Sequence, residues 1–553
     1  MKKILLSALL LVASAANAKL YTFIADKSSA DEVNVDQTNV GLNVSFHVKG
    51  METDELKGIV PLKEVQKMKF DGLSTTERVG QPSLPYHSVV VADRPENVVV
   101  KYKLGQMVKL NDVTPAPSPK VPLRNEEYKE DYQSLNWVAY NKSSSKLYEV
   151  EFLGDFRGTP LTKVTFFPMQ YDAKNGTRVY PEIEYKVFSK VQAQLQNFTA
   201  PETVIAKAEV NKRYLVVTPA KFAQAMNTFV EWKQGQGYEV DVVTLEDAGA
   251  TADKVKAFLQ ARYDNADTKF AYALFVGNET VFPCFYRPTS SSSRTPTDLP
   301  YFTMGGTADT IADVFYGRFV VSTEKDIANQ TKKIMDYEKG EYADSFGLNR
   351  AVGIASNEGS SPSDVDYVKA MAKPLETTFG TTYTYGFQGQ NTATVKVISE
   401  ALNKGAMWVN YVGHGSGYAW ASTNDNFGNA AIKNLKNADK VKPVIIDVAC
   451  MNGKFANGYF GERWMNEVNA NGEPIGAALY LGGSVNVSWH PPAIMARAIS
   501  EKIASDKIET AGEAIFAGQM ALNATWTNKK DVQDNMTWYH LFGDPAMKLR
   551  MKP

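Results

Sequence analysis

The chain has 553 residues, 44% hydrophobic and 22% charged, with 60 Lys and Arg against 61 Asp and Glu for a formal charge of −1. That length suits three or four compact units of about 150 residues, and the balanced charge offers no basic field for nucleic acid or an anionic membrane. Two cysteines, Cys284 and Cys450, exclude a disulfide-stapled scaffold and a cysteine-rich metal site.

Residues 1–18 read as a secretory signal peptide. Lys2 and Lys3 form a positive start, Ile4 to Ala13 an apolar run, and Ala16-Asn17-Ala18 an A-x-A cleavage site. The run is far short of the about 20 residues a membrane anchor needs. The mature chain is therefore expected to be exported, to the periplasm or the medium, without a membrane anchor. In an oxidising compartment an unpaired cysteine is either buried or kept for its chemistry.

Residues 19–196 read as strands. NVGLNVSFHVKG, HSVVVADRPENVVVKYKLG and KLYEVEFLGDF alternate or are rich in Val, Tyr and Phe, and Asn175-Gly176 lies between two such runs as a hairpin turn. One all-β domain is expected. Residues 197–212 form a linker in which Lys207 and Lys212, with Arg213 just beyond, offer basic sites to a processing protease.

From Arg213 the pattern becomes strand, helix, strand, helix. RYLVVTP, YEVDVVT, FAYALFVG, RAVGIAS, AMWVNYVG, PVIIDVAC and GAALYLGG are apolar strands. TEKDIANQTKKIMDYEKG, TVKVISEALNKG and PPAIMARAISEKIAS are helical segments between them. This grammar predicts an α/β fold with a mostly parallel sheet covered on both faces. It divides into two subdomains, residues 213–345 and 346–553.

Ligands bind such sheets beyond the carboxyl ends of the strands. Two strand ends carry reactive side chains: AMWVNYVG runs into His414-Gly415, and PVIIDVA into Cys450. Neighbouring strands would place imidazole and thiol in one cleft, the arrangement thiol-based hydrolysis requires. Alone, either residue is more often structural, since a free cysteine behaves as a small buried hydrophobe. Cys284, among bulky apolar neighbours in VFPCFYRP, reads as packing. GHGSG does not fit the serine elbow G-x-S-x-G, and among His47, His87, His414, His490 and His540 no pair has metal-ligand spacing.

A strand ending in His-Gly followed by one ending in Ala-Cys resembles the caspase-like (clan CD) cysteine peptidases. NYVGHGSGYAW, DVACMNGKF, GGSVNVSW and WYHLFGDPAM are similar to the gingipain family in particular. FVEWKQGQGYEVDVVTLEDAG and ADVFYGRFVVSTEKDIANQTKKIMDYEK extend the resemblance over about Lys212 to Lys552. GQPSLPYHSVVVAD makes the β half resemble the prodomain of such enzymes.

The resemblance implies a caspase-like α/β catalytic domain behind an all-β prodomain, and a cysteine endopeptidase made as a zymogen. Its partners would be protein or peptide substrates and its own prodomain acting as inhibitor. Cys450 would be the nucleophile, His414 the general base and acid, Glu358 the acid orienting the imidazole, and the backbone N–H groups of Gly415 and Cys450 the oxyanion hole. Asp364 would sit at the base of the specificity pocket and Trp489 would line it, giving cleavage after Arg and secondarily Lys, with the guanidinium held bidentately and stacked. Asp366 lies close by, and Ser363-Asp364 reads equally as a helix cap.

Arg157 in GDFRGTP is the prodomain residue expected in that pocket. No cofactor is required. Calcium is common in the family, so a structural calcium stays open; the chain has no D-x-[DN]-x-[DN]-G loop, and TNDNFGN is a weak candidate. The sequence ends at Pro553 without the immunoglobulin-like and sorting domains of gingipains, so the resemblance does not extend to their outer-membrane route. A secreted binding or adhesion protein that keeps the fold without catalysis is the other reading, and a serine or metal hydrolase a third.

Overall fold

The computed structural model describes residues 18–24, 33–56, 64–191, 211–306, 309–505 and 508–550. Nearly all of the expected signal peptide, most of the linker and Lys207 lie outside them.

Among the described residues of 18–191, the regular structure is strand apart from one short helix, Trp137–Tyr140. The strands form two four-stranded and two three-stranded antiparallel sheets. Their alternating apolar positions close on a core that includes Val44, Phe46, Val89, Phe166, Ile183 and Tyr185. The Asn175-Gly176 signal is realised: Met169–Asp172 pairs with Gly176–Val179. Asp172 accepts from the N–H groups of Lys174 and Asn175, and Gly176 takes the left-handed conformation at φ 80°.

The rest of the chain is built on one ten-stranded sheet covered by helices. Its strands are numbered here in chain order: β1 Arg213–Thr218, β2 Glu239–Thr244, β3 Tyr272–Val276, β4 Phe315–Phe319, β5 Arg350–Ala355, β6 Thr382–Phe387, β7 Trp408–Val412, β8 Val444–Val448, β9 Leu479–Gly483 and β10 Tyr539–Phe542. Their spatial order is β2-β1-β3-β4-β10-β9-β8-β7-β5-β6.

Every neighbouring pair is parallel except β9 and β10. The sheet is thus two parallel blocks running in opposite directions, and β10 joins β4 through the single pair Arg318–Phe542. The strands β7, β8 and β9 are buried along their whole length, as expected of a sheet with helices on both faces. Because β5, β7, β8 and β9 belong to one block, their carboxyl ends open on the same edge.

The two parts share a core. Val90, Ala92, Leu153, Phe156 and Leu161 of the β domain belong to the same apolar cluster as the helix Ala511–Thr525, and Phe156 stacks on Phe516 at 4.2 Å.

Candidate active site

Four adjacent strand ends deliver the side chains. β7 leads into His414, β8 into Cys450, β9 into Val487 and Trp489, and β5 into Ser356, Glu358 and Asp364. The adjacency of β7 and β8 that the sequence left open is therefore present. Gly415 lies so close to the Cys450 backbone that a Cβ there would stand 2.3 Å from the Cys450 carbonyl oxygen and 2.9 Å from its nitrogen. Only glycine permits this approach.

His414 is fixed from both its backbone and its ring. Its N–H donates to Ser422 Oγ (2.8 Å), and Tyr411 Oη donates to its carbonyl (2.7 Å). Nε2 donates to Glu358 Oε1 at 2.8 Å. Nδ1 faces the backbone carbonyl of Arg124, in the β domain. A carboxylate and a carbonyl only accept, so each ring nitrogen faces an acceptor.

Cys450 is fully buried. Its Sγ accepts from the Val487 N–H at 3.4 Å. Burial pushes its thiol up to about 11, outweighing the Val487 hydrogen bond and the Arg124 charge, which act the other way. In this state the sulfur is a thiol.

Asp364 is the first residue of the helix Asp364–Phe379. The cap is made by its neighbours: Ser363 accepts from Asp366 N–H while the Asp366 carboxylate accepts from Ser363 N–H. That frees Asp364, whose side chain is 0% exposed. It accepts from Ser356 Oγ at 2.6 Å and from Arg124 Nη1 at 2.7 Å. A carboxylate at a helix N-terminus is favoured by the helix dipole.

Arg124 completes the picture. Its side chain is 1% exposed, its Cζ lies 4.5 Å from the Trp489 ring centroid, and its Nη2 donates to the Trp489 carbonyl at 2.6 Å. Its backbone N–H donates to the Val487 carbonyl at 2.8 Å. The guanidinium is therefore divided between one carboxylate oxygen and a carbonyl, and is not held by Asp364 bidentately. Trp489 also stands edge-on to His414, 5.7 Å between ring centroids.

One further expectation is corrected. Arg157 is not in this pocket. It sits at a hairpin tip with φ 53°, its N–H on Asp313 Oδ1 and its Nε on the Asp313 carbonyl. There the Phe156–Phe516 stack seats the hairpin against β4. In TNDNFGN, Asn424 Oδ1 accepts from Gly389 N–H at 2.9 Å and Asp425 Oδ1 from Val395 N–H at 2.7 Å. Arg124 itself escaped sequence reasoning. The available signal was a single Arg following the proline-rich stretch TPAPSPKVP, where prolines favour the extended backbone that clefts bind.

Comparison with known proteins gives the family. A sequence model described as peptidase family C25 matches residues 207–550. Gingipain R1 of Porphyromonas gingivalis is 28% identical over 527 residues, 87% of this chain; the chain spans 51% of that protein's length. The crystal structure of the Arg-specific cysteine proteinase gingipain R is similar at 28% identity and TM-score 0.57, over 62% of this chain and 79% of that one. A complex of Porphyromonas gingivalis RgpB pro- and mature domains is similar at 28% identity and TM-score 0.56, over 62% and 80%.

Proposed function

From the premise that this chain belongs to peptidase family C25, we propose that it is an exported cysteine endopeptidase, held latent by its own β domain, which cleaves after Arg and less readily after Lys. The observation that carries this reading is the seating of Arg124: an arginine whose side chain fills a pocket of Asp364 and Trp489 while its carbonyl meets His414. That is the pose of a substrate residue before a cleaved bond. The relative whose solved structure is a complex of pro- and mature domains supports the pairing.

In an open cleft His414 takes the Cys450 proton through Nδ1, the nitrogen Glu358 leaves free. The thiolate attacks the carbonyl carbon, forming a C–S bond. The oxyanion lies against the N–H groups of Gly415 and Cys450. His414 returns the proton to the leaving amine as the C–N bond breaks, and then activates the water that releases the acid from the thioester. Glu358 keeps the imidazole oriented. These steps run on side chains and backbone alone, so no cofactor is assigned.

Lys reaches Asp364 as a point charge, without the planar fork by which Arg124 spans Asp364 and the Trp489 carbonyl. Of the processing candidates, Arg213 is the first residue of β1, paired with Glu239 and accepting from Ala271 N–H. A cut after it would open the sheet, so activation falls to the preceding linker. Cleavage of peptides after Arg by the activated protein, lost on Cys450→Ala, tests the whole reading.

A further inference from the structure

We propose that Tyr418 and Tyr459, with Met451, form the subsite for the residue that follows the cleaved bond, and that it takes a large apolar or aromatic side chain. The inference rests on Cys450 being the nucleophile.

The direction of the cleft follows from Arg124. Its amide N–H is on the Val487 carbonyl, to one side of Cys450, and its carbonyl is at His414. A bound peptide must leave on the other side, where Gly415 lies against the Cys450 backbone and the loop runs on to Tyr418. Gly417, at φ 83°, would place a Cβ 3.6 Å from the Met451 Cβ and 3.1 Å from the Tyr459 ring, so the rim beyond Cys450 is made by these three side chains. One residue of extended chain covers about 3.3–3.6 Å, and the step past Cys450 lands on this rim.

The rim is built to present an aromatic face. Tyr418 is 51% exposed yet stacks on Tyr459 with centroids 4.9 Å apart and planes at 24°. One face of Tyr418 is covered and the other is free to take a side chain. Tyr459 is held in turn by Lys454, whose Nζ donates to its hydroxyl at 3.1 Å and lies 4.6 Å from the ring centroid. Below, Asn452 Oδ1 accepts from Gly417 N–H at 2.9 Å and fixes the loop that carries Tyr418. An exposed ring fixed this firmly gives binding area at little entropic cost.

The described residues after Arg124 turn away from this rim. The chain turns back, with Glu126 N–H on the Leu123 carbonyl, and Tyr128 packs against Trp489 and His490 at 5.4 and 5.6 Å. The segment fills the Arg pocket and does not continue to the leaving-group side, and so does not present its own 124–125 bond.

The test uses the full chain activated in its linker, with internally quenched peptides that differ only in the residue after Arg, Phe or Ser, and with an Arg anilide as a separate reporter of cleavage after Arg. The expected result is a kcat/KM for Arg-Phe about tenfold or more above Arg-Ser. This ratio should fall to near one in Tyr418→Ala and persist in Tyr418→Phe. A wild-type ratio near one, or a ratio unchanged in Tyr418→Ala, would overturn the subsite while anilide turnover leaves the peptidase reading standing. Absence of anilide turnover would overturn that reading and the subsite with it.

Discussion

The guanidinium of Arg124 and the carboxylate of Asp364 form an ion pair of 2.7 Å with both side chains almost wholly out of solvent. The pair joins the β domain to the cleft beside Cys450, across 240 residues of sequence. Breaking a buried pair from one side costs about 3–5 kcal/mol because the remaining charge stays buried. On the proposed reading, the Arg124 side leaves as the cleft opens and a substrate arginine takes its place.

Arg124→Ala should therefore raise the activity of the uncleaved chain. The pocket becomes empty and His414 Nδ1 loses the carbonyl seated on it, while the shared Phe156–Phe516 core keeps the β domain attached. Turnover of an Arg peptide by uncut protein, checked for cleavage by gel, is expected to rise at least about tenfold. Arg124→Lys should give an intermediate value, because an ammonium keeps the charge and loses the fork. Equal latency in all three would show that Arg124 is not the plug.

Thiol alkylation should follow the same transition. With the β domain in place, burial holds the Cys450 thiol up at about 11, and the Cys284 thiol likewise at about 11. A raised thiol pKa means little thiolate near pH 7, so both should react slowly with iodoacetamide there. Opening the cleft exposes Cys450 beside His414 and should speed its reaction alone. Mass spectrometry of the labelled peptides would separate the two sites, and rapid labelling of Cys284 would contradict the assignment.

Release of the β domain should depend on pH through Glu77. Its carboxylate accepts from Thr527 Oγ1, Thr527 N–H and Tyr86 Oη, with Arg78 and Lys163 as the cations facing it. Enclosure pushes it up to about 7 from its ordinary 4.5. The docked state therefore favours the protonated form: its contribution is complete below about 4.5 and fades as pH rises through about 7. After linker cleavage, the two parts should separate more readily at pH 8 than at pH 5, as read by size-exclusion chromatography, and Glu77→Gln should flatten that difference.

Asn452 and Asp447 should act as positioning residues. Asp447 Oδ2, fully buried under the Cys450 turn, accepts from Trp420 Nε1 (3.1 Å), Asn452 Nδ2 (3.0 Å) and Tyr480 Oη. Asn452 then holds Gly417 N–H, tying the Cys450 turn to the His414 loop. Asn452→Ala should lower kcat about 10–100-fold with KM little changed, the mark of misplaced reacting groups. Asp447 Oδ1 has no partner, so Asp447→Asn can place its amide there and keep the three donors satisfied. It should retain far more activity than Asp447→Ala.

Much of this was readable in advance, and the gaps have physical causes. Continuous apolar runs revealed seven strands of the large sheet, and the strand ends at His414 and Cys450 marked the cleft. FYGRF of β4 was missed because Arg318 interrupts the apolar run. It is buried nonetheless, paired with Asp298 at 2.6 and 2.8 Å and donating to the Gly277 and Phe282 carbonyls. YHLF of β10 is only four residues long, and it is the strand at which the sheet reverses direction. Glu358 and Asp364 were identified only through family resemblance, since a loop carboxylate carries no pattern of its own. Arg124 was missed, because its one local mark, the proline-rich stretch before it, says nothing of where its side chain docks. Only the tertiary fold brings it to Asp364.

The most direct test is to incubate the linker-cleaved protein with a peptide library under reducing conditions and sequence the products, alongside Cys450→Ala and Asp364→Asn. Cleavage after Arg is expected in the wild type and none in Cys450→Ala. Asp364→Asn should lose about 10²–10³-fold in kcat/KM toward Arg, the equivalent of an unpaired buried guanidinium. Cleavage that persists in Cys450→Ala, or an Arg preference that survives Asp364→Asn, would contradict the account.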